Sequence, residues 1–281
     1  MKYYWYCLAL LVLASCQKDV TAPPTHREDV QLTDEDPLLF GNPSLAIATT
    51  DSLNNYLLHQ PTYALSYSRD RGTPNWVSWH LCAHDLGATP RQDNFRADIS
   101  LPDGWYRVAA SAYSGSGFDR GHNIPSADRT RTVEENSSTF LMTNMIPQAP
   151  QHNRRTWATL EDSLRRLVNA GFEVYVIMGV YGAGGSGSNG FAMTINGGRV
   201  TVPASVWKIA VLLPEGDKDL SRITERTRVI AVDAPNVNNV QANWKNYRVS
   251  VDEIENKTGY DLLNRLPENL QSVIEARSDS L

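Results

Sequence analysis

Residues 153–180 constrain the fold more than any other stretch of the chain. Trp157, Leu160, Leu164, Leu167 and Val168 recur at the three- and four-residue spacing of an amphipathic helix, predicted over residues 153–170. Gly171 stops it, as a residue that tolerates the backbone of a helix end. Residues 172–180 follow as a strongly apolar strand. Further strands are expected at residues 63–67 and 76–82, joined by a hairpin-type connection around Gly72-Thr73-Pro74-Asn75. Others are expected at residues 139–144, 200–202, 207–213 and 228–232. Ser250-Val251-Asp252-Glu253 has capping-box form and opens a helix that Gly259 ends. Many strands with few and unequal helices favour an α+β class over a regular βαβ alternation.

The 281 residues, 41% of them apolar, can bury a real core, and one domain behind a short leader fits that length. The net charge of -5 argues against a protein that coats nucleic acid through bulk electrostatics. It does not exclude an enzyme that uses a local arginine cluster and turns over.

Met1-Lys2 opens a leader whose residues 3–14 are apolar and too short to span a bilayer comfortably. It ends Leu13-Ala14-Ser15-Cys16. Small residues before a cysteine resemble the bacterial lipoprotein signal, so residues 1–15 are expected to be cleaved and Cys16 lipidated. That would anchor the protein to a membrane, in the periplasm or at the cell surface; without lipidation the protein would be secreted. Residues 16–43, rich in Thr, Pro, Asp and Glu, read as a flexible tether before a domain at 44–281. Cys82 is then left alone and cannot form an internal disulfide; a buried small thiol is its expected state. The Gly/Ser-rich loop at 182–190 lacks phosphate-loop spacing and a following lysine, and reads as a surface connection.

The chemistry gathers elsewhere. Asp119-Arg120-Gly121-His122 puts an acid, a fixed cation, a small residue and a titratable base side by side. Those are parts that phosphodiester hydrolysis needs: a base for water and a cation for developing negative charge. Asn153 starts the predicted helix, where it suits an N-cap, and Glu161 lies two turns further on. At helical pitch the two are about 80° apart and can line one side of a cavity. An amide oxygen at Asn153 can also serve a hard cation that keeps most of its water.

Taken together, these residues resemble the DNA/RNA non-specific endonucleases, the sugar-non-specific ββα-metal nucleases. The tetrapeptide with Pro125 and Asp128 is that family's signature, and Thr143-Asn144-Met145, Pro147-Gln148, Asn153, Trp157 and Glu161 follow in the family's order. The similarity runs from about residue 63 to the C-terminus. It implies a ββα-metal (His-Me finger) motif on a central, mainly antiparallel sheet flanked by helices. The motif would comprise the strand ending near His122, the strand at 139–144 and the helix from Asn153.

The resemblance also implies roles. His122 would be the general base, and Asn153 the direct ligand of one divalent cation, Mg²⁺ or Mn²⁺. Asp119 and Glu161 would hold the waters of that ion. Arg91 would grip the scissile phosphate, with Arg120 and Asn144 as lesser positioning residues and Arg154 and Arg155 near flanking phosphates. DNA and RNA would both be cut by water, with little sequence preference, leaving 5′-phosphate ends. A protein inhibitor is a further partner to consider, and the oligomeric state stays open. Competing readings are a small-molecule phosphodiesterase, a catalytically silent nucleic-acid-binding lipoprotein and a surface adhesion lipoprotein.

Overall fold

The apolar run after Gly171 becomes a central strand whose side chains alternate between two cores. Val174, Val176, Met178 and Val180 enter one core, and Tyr175 and Ile177 enter the other. A strand covered on both faces has no polar side to show, so its sequence reads as continuously apolar. A computed structural model describes Met1 and residues 32–280. In chain order the strands are β1 (Tyr56–Gln60), β2 (Tyr63–Ser68), β3 (Thr73–Leu81), β4 (Asp119–His122), β5 (Met145–Gln148), β6 (Phe172–Tyr181), β7 (Gly185–Gly187), β8 (Gly190–Ala192), β9 (Thr194–Ile195), β10 (Val200–Thr201), β11 (Ser205–Pro214), β12 (Arg228–Pro235) and β13 (Arg248–Val249). The helices are α1 (Val133–Ser138), α2 (Ala158–Asn169), α3 (Asp219–Arg222), α4 (Val251–Thr258) and α5 (Glu268–Ile274).

Seven strands form one sheet in the order β1-β2-β3-β6-β11-β12-β13, antiparallel at every pairing. Helix α2 covers one face through Leu160, Leu164 and Val168. Helices α4 and α5 cover the other through Val251, Ile254 and Ile274. The class is α+β, as expected. The predicted capping box is present: Ser250 Oγ accepts from Glu253 N, and Gly259 ends α4 in the left-handed conformation.

Three expectations change. Residues 32–43 are not tether: Leu39 and Phe40 are buried in the second core, and Tyr175 Oη donates to the Asp34 carbonyl at 2.5 Å. The leader, Cys16 and the remaining tether to residue 31 lie outside the described residues, apart from Met1. The strand expected at 139–144 is instead a turn that begins at the Thr139 cap of α1 and a 3₁₀ turn at Met142–Asn144, and the strand follows as β5. Polar side chains take the backbone elsewhere there, since Thr139 Oγ1 donates to the Asn136 carbonyl and Asn144 Nδ2 to the Thr139 carbonyl. The loop at 182–190 supplies β7 and the turn of the hairpin β7–β8, and Ser188 N donates to the Gly117 carbonyl at 2.8 Å, just ahead of β4. Among the described residues no helix is long and apolar enough to cross a membrane.

A buried lysine lies inside this scaffold. Lys208 of β11 is 1% exposed, with Nζ 5.4 Å from the Trp79 ring centroid, 5.2 Å from that of Trp157 and 3.3 Å from Glu161 Oε1. Burial pushes Glu161 up and Lys208 down, and each opposes the other's shift. Nearby, Asp128 takes the Trp79 indole N–H at 3.1 Å and pairs with Arg165 at 2.6 Å. These contacts fasten α2 to the sheet. Lys208→Met leaves a buried carboxylate without its partner, and urea denaturation should show a loss of about 3–5 kcal/mol. Combining it with Glu161→Gln should recover most of that loss.

Candidate active site

β4 and β5 pair with Asp119 opposite Gln148 and His122 opposite Met145. The strand pleat sends alternate side chains to opposite sides, and the tetrapeptide divides accordingly. Asp119 and Gly121 meet the start of the helical segment and Gln148, whereas Arg120 and His122 meet an aromatic wall of Phe95 and Phe140. Gly121 is required by space: a Cβ there would lie 2.6 Å from Gln148 Cβ.

Asp119 ties the strand to that helical segment. Its Oδ2 accepts from Asn153 Nδ2 at 2.9 Å and Arg154 Nε at 2.8 Å, and its Oδ1 from Arg154 Nη2 at 2.6 Å. Asn153 is therefore not a helix N-cap. It sits inside a π-helical turn, His152–Trp157, that leads into α2. The Ala158 N–H reaches back five residues to the Asn153 carbonyl. Such wide turns recur at functional sites, and this one brings two consecutive side chains to a single carboxylate.

Two residues that sequence reasoning missed hold this turn in place. Asn236, fully buried, accepts from Ala149 N at 2.7 Å and donates to the Pro147 and Pro203 carbonyls at 2.9 Å. Asn238 Oδ1 accepts from Gln151 N at 2.9 Å. Together they satisfy two backbone donors at the entrance to the helix. The only local sign is a pair of asparagines two apart after a strand.

His122 touches Phe95 and Phe140 edge-on, with ring centroids 5.5 and 5.0 Å away. One ring nitrogen bonds the Arg120 backbone carbonyl, while Nε2 is shielded and has no partner. That pattern corresponds to a neutral ring protonated at Nδ1, with a lone pair on Nε2. Burial, then the charges of Arg91 and Arg120, hold its pKa down to about 3. Arg91 lies with its guanidinium 4.8 Å from the Phe140 ring centroid and donates to Ser126 Oγ at 2.7 Å and Asp93 Oδ1 at 2.6 Å. Arg120 lies 4.1 Å from the Phe95 ring centroid.

These groups surround an open cleft of about 310 Å³, lined among others by Arg91, Phe95, Asp119, Arg120, Asn153 and Arg154. Three arginines in one cleft make a local cationic site on a chain of net charge -5. Asn153 donates its amide N–H to Asp119, and no described protein group donates to its Oδ1. An amide oxygen beside a carboxylate, open to solvent, is a donor set suited to a hard, hydrated divalent cation.

The sequence profile of the DNA/RNA non-specific endonucleases matches residues 41–269. A nuclease of Nostoc sp. is 48% identical over 98% of this chain and 99% of its own length. Nuclease C1 of Cunninghamella echinulata is 30% identical over 82% of this chain and 88% of its own. The chain belongs to the DNA/RNA non-specific endonuclease family. In fold it is similar to a chain in a crystal structure of the EndoG/EndoGI complex, with a TM-score of 0.68 at 24% identity, covering 87% of this chain and 96% of that one. β4, β5 and the helical segment ending in α2 are accordingly the ββα-metal unit, and the enzyme is a DNA/RNA endonuclease.

The structure gathers most of the predicted site residues. Arg91, Asp119, Arg120 and Asn153 line the cleft, with His122 against its Phe95 wall. Asn144 does not join them. It is fully buried, accepts from Ile124 N at 3.1 Å and donates to the Ile124 carbonyl at 3.0 Å, fixing the backbone that follows His122. Glu161 is not among the lining residues either; its Oε1 faces Lys208, and no described protein group donates to its Oε2. The π turn and the Lys208 pair displace it from the simple helical reading. Gly121→Ala should push β4 off Gln148 and lose at least tenfold in nuclease activity. A folded circular-dichroism spectrum, with stability down by about 1–3 kcal/mol, would accompany that loss.

Proposed function

We propose that the cleft cuts DNA and RNA without regard to sequence or sugar, with His122 as general base. The single observation that carries this reading is the shielded, unpartnered Nε2 of a neutral His122 between two arginines. Nε2 takes the proton from the attacking water, while the Nδ1 hydrogen bond to the Arg120 carbonyl keeps the ring oriented. Arg91 grips the scissile phosphate with Arg120 beside it, and a guanidinium fork suits both the phosphate oxygens and the charge that develops on them. Arg154 and Arg155 take flanking phosphates.

A divalent cation, Mg²⁺ or Mn²⁺, bound by Asn153 Oδ1 would neutralise phosphate charge and the departing 3′ oxygen. Asp119, and Glu161 through its free Oε2, would hold its waters. Water attacks rather than a ribose hydroxyl, so both polymers are substrates and the products carry 5′-phosphate and 3′-hydroxyl ends. The lining groups are aimed at phosphate, which carries no base information. An open cleft also suits a polymer better than an enclosed small-molecule pocket.

Bound phosphate offsets the two arginine charges that hold His122 down, so the base strengthens once substrate is in place. In the free enzyme the ring gains a proton only near pH 3, well below the ordinary histidine range. The kcat/KM profile should therefore show no acidic limb near pH 6.5, and Arg120→Gln should move the limb upward. A wild-type limb between pH 6 and 7 that belongs to His122 would contradict the assignment.

Plasmid DNA and a long RNA should both be degraded with Mg²⁺ or Mn²⁺ and spared with chelator. His122→Ala should lose about 10²–10⁴-fold. Survival of both polymers with metal present, or full activity of His122→Ala, would overturn the proposal.

A further inference from the structure

Away from the cleft, on the sheet face covered by α4 and α5, three carboxylates converge. One oxygen from each of Asp252, Glu255 and Glu275 lies within 4.8 Å of the other two. Asp252 and Glu255 stand on α4, and Glu275 ends α5. Asp261 adds a fourth negative charge from the connecting segment. The two elements meet directly, because Asp252 N donates to the Glu275 carbonyl at 3.2 Å. Glu255 Oε1 accepts from Leu262 N at 2.6 Å, which orients its carboxylate.

Glu275 makes the cluster more than a patch of surface acid. It is 5% exposed, and its Oε1 is buried without any hydrogen-bond partner. Among the described residues, no arginine, lysine or histidine forms an ion pair with any of these four carboxylates. A buried carboxylate beside three like charges is costly unless something positive joins it.

We propose that Asp252, Glu255 and Glu275 form a second, structural cation site that takes Ca²⁺ and clamps α4 to the chain after α5. Oxygen ligands about 2.3–2.6 Å from one ion have the mutual separations seen here, and calcium accepts an irregular, carboxylate-rich shell. Mg²⁺ is smaller, demands near-ideal octahedral geometry and keeps its waters, so it should bind this site less well.

Thermal unfolding of the whole protein, stripped with EDTA and titrated with CaCl₂, tests this. The Asn153→Ala variant removes the cleft's own ligand and isolates the second site. At about a hundredfold excess over Kd, Tm should rise by about 5–10 °C in both parent and Asn153→Ala. Glu275→Gln removes the buried charge, so it should be more stable than the parent in EDTA and should respond little to Ca²⁺. Two results would overturn the proposal: no Ca²⁺ effect on Asn153→Ala, or an undiminished effect on Glu275→Gln.

Discussion

The Asp119 carboxylate is the joint on which this active site depends. It receives one hydrogen bond from Asn153 and two from Arg154, and so binds the end of a short strand to the start of a helix. Hydrogen bonds from a guanidinium to a carboxylate are stronger than neutral ones and fix direction as well as distance. A two-stranded ribbon as short as β4–β5 would be marginal alone. Here it is held from one side by Asp119 and from behind by Asn236, whose amide joins the Pro147 carbonyl and the Ala149 N–H. Once that ribbon is fixed, the pleat determines the rest. Arg120 and His122 must face Phe95 and Phe140, where Arg91 also lies.

The scaffold beneath is built to make that joint rigid. The sheet is buried on both faces, and α2 is attached to it by apolar contacts and by the Lys208–Glu161 pair beneath Trp79 and Trp157. Charge is distributed by location rather than in bulk. The chain is acidic overall, yet its cleft carries Arg91, Arg120 and Arg154. A nuclease must release its product, and a few arginines at the reacting phosphate do not commit the whole surface to tight binding.

The legible parts of the sequence were those where one physical signal dominated. Apolar spacing revealed α2 and β6, and the Ser250 box with Gly259 bounded α4. The tetrapeptide and the residues after it led to the family and to most of the cleft. Where signals competed, the reading slipped. The apolar run at 139–144 looks like a strand, but the side chains of Thr139 and Asn144 occupy backbone groups that a strand would need. Asn153 looks like an N-cap because its real partner, Asp119, is distant in sequence. A π turn leaves the apolar spacing of α2 untouched, so nothing in the pattern announces it. Residues 32–43 have a polar, Pro-containing composition that masks Leu39 and Phe40, both buried.

All of this geometry serves one chemical state, a neutral His122 with its proton on Nδ1 and a lone pair on Nε2. The Arg120 carbonyl favours that tautomer, and burial with two neighbouring arginines disfavours the charged form. Nitrogen-15 NMR of the histidine rings in the free enzyme at pH 7, with His122 assigned by its loss in His122→Gln, reads that state directly. A resonance pair for Nδ1–H and unprotonated Nε2 is predicted. An imidazolium, or a proton on Nε2, would contradict the account.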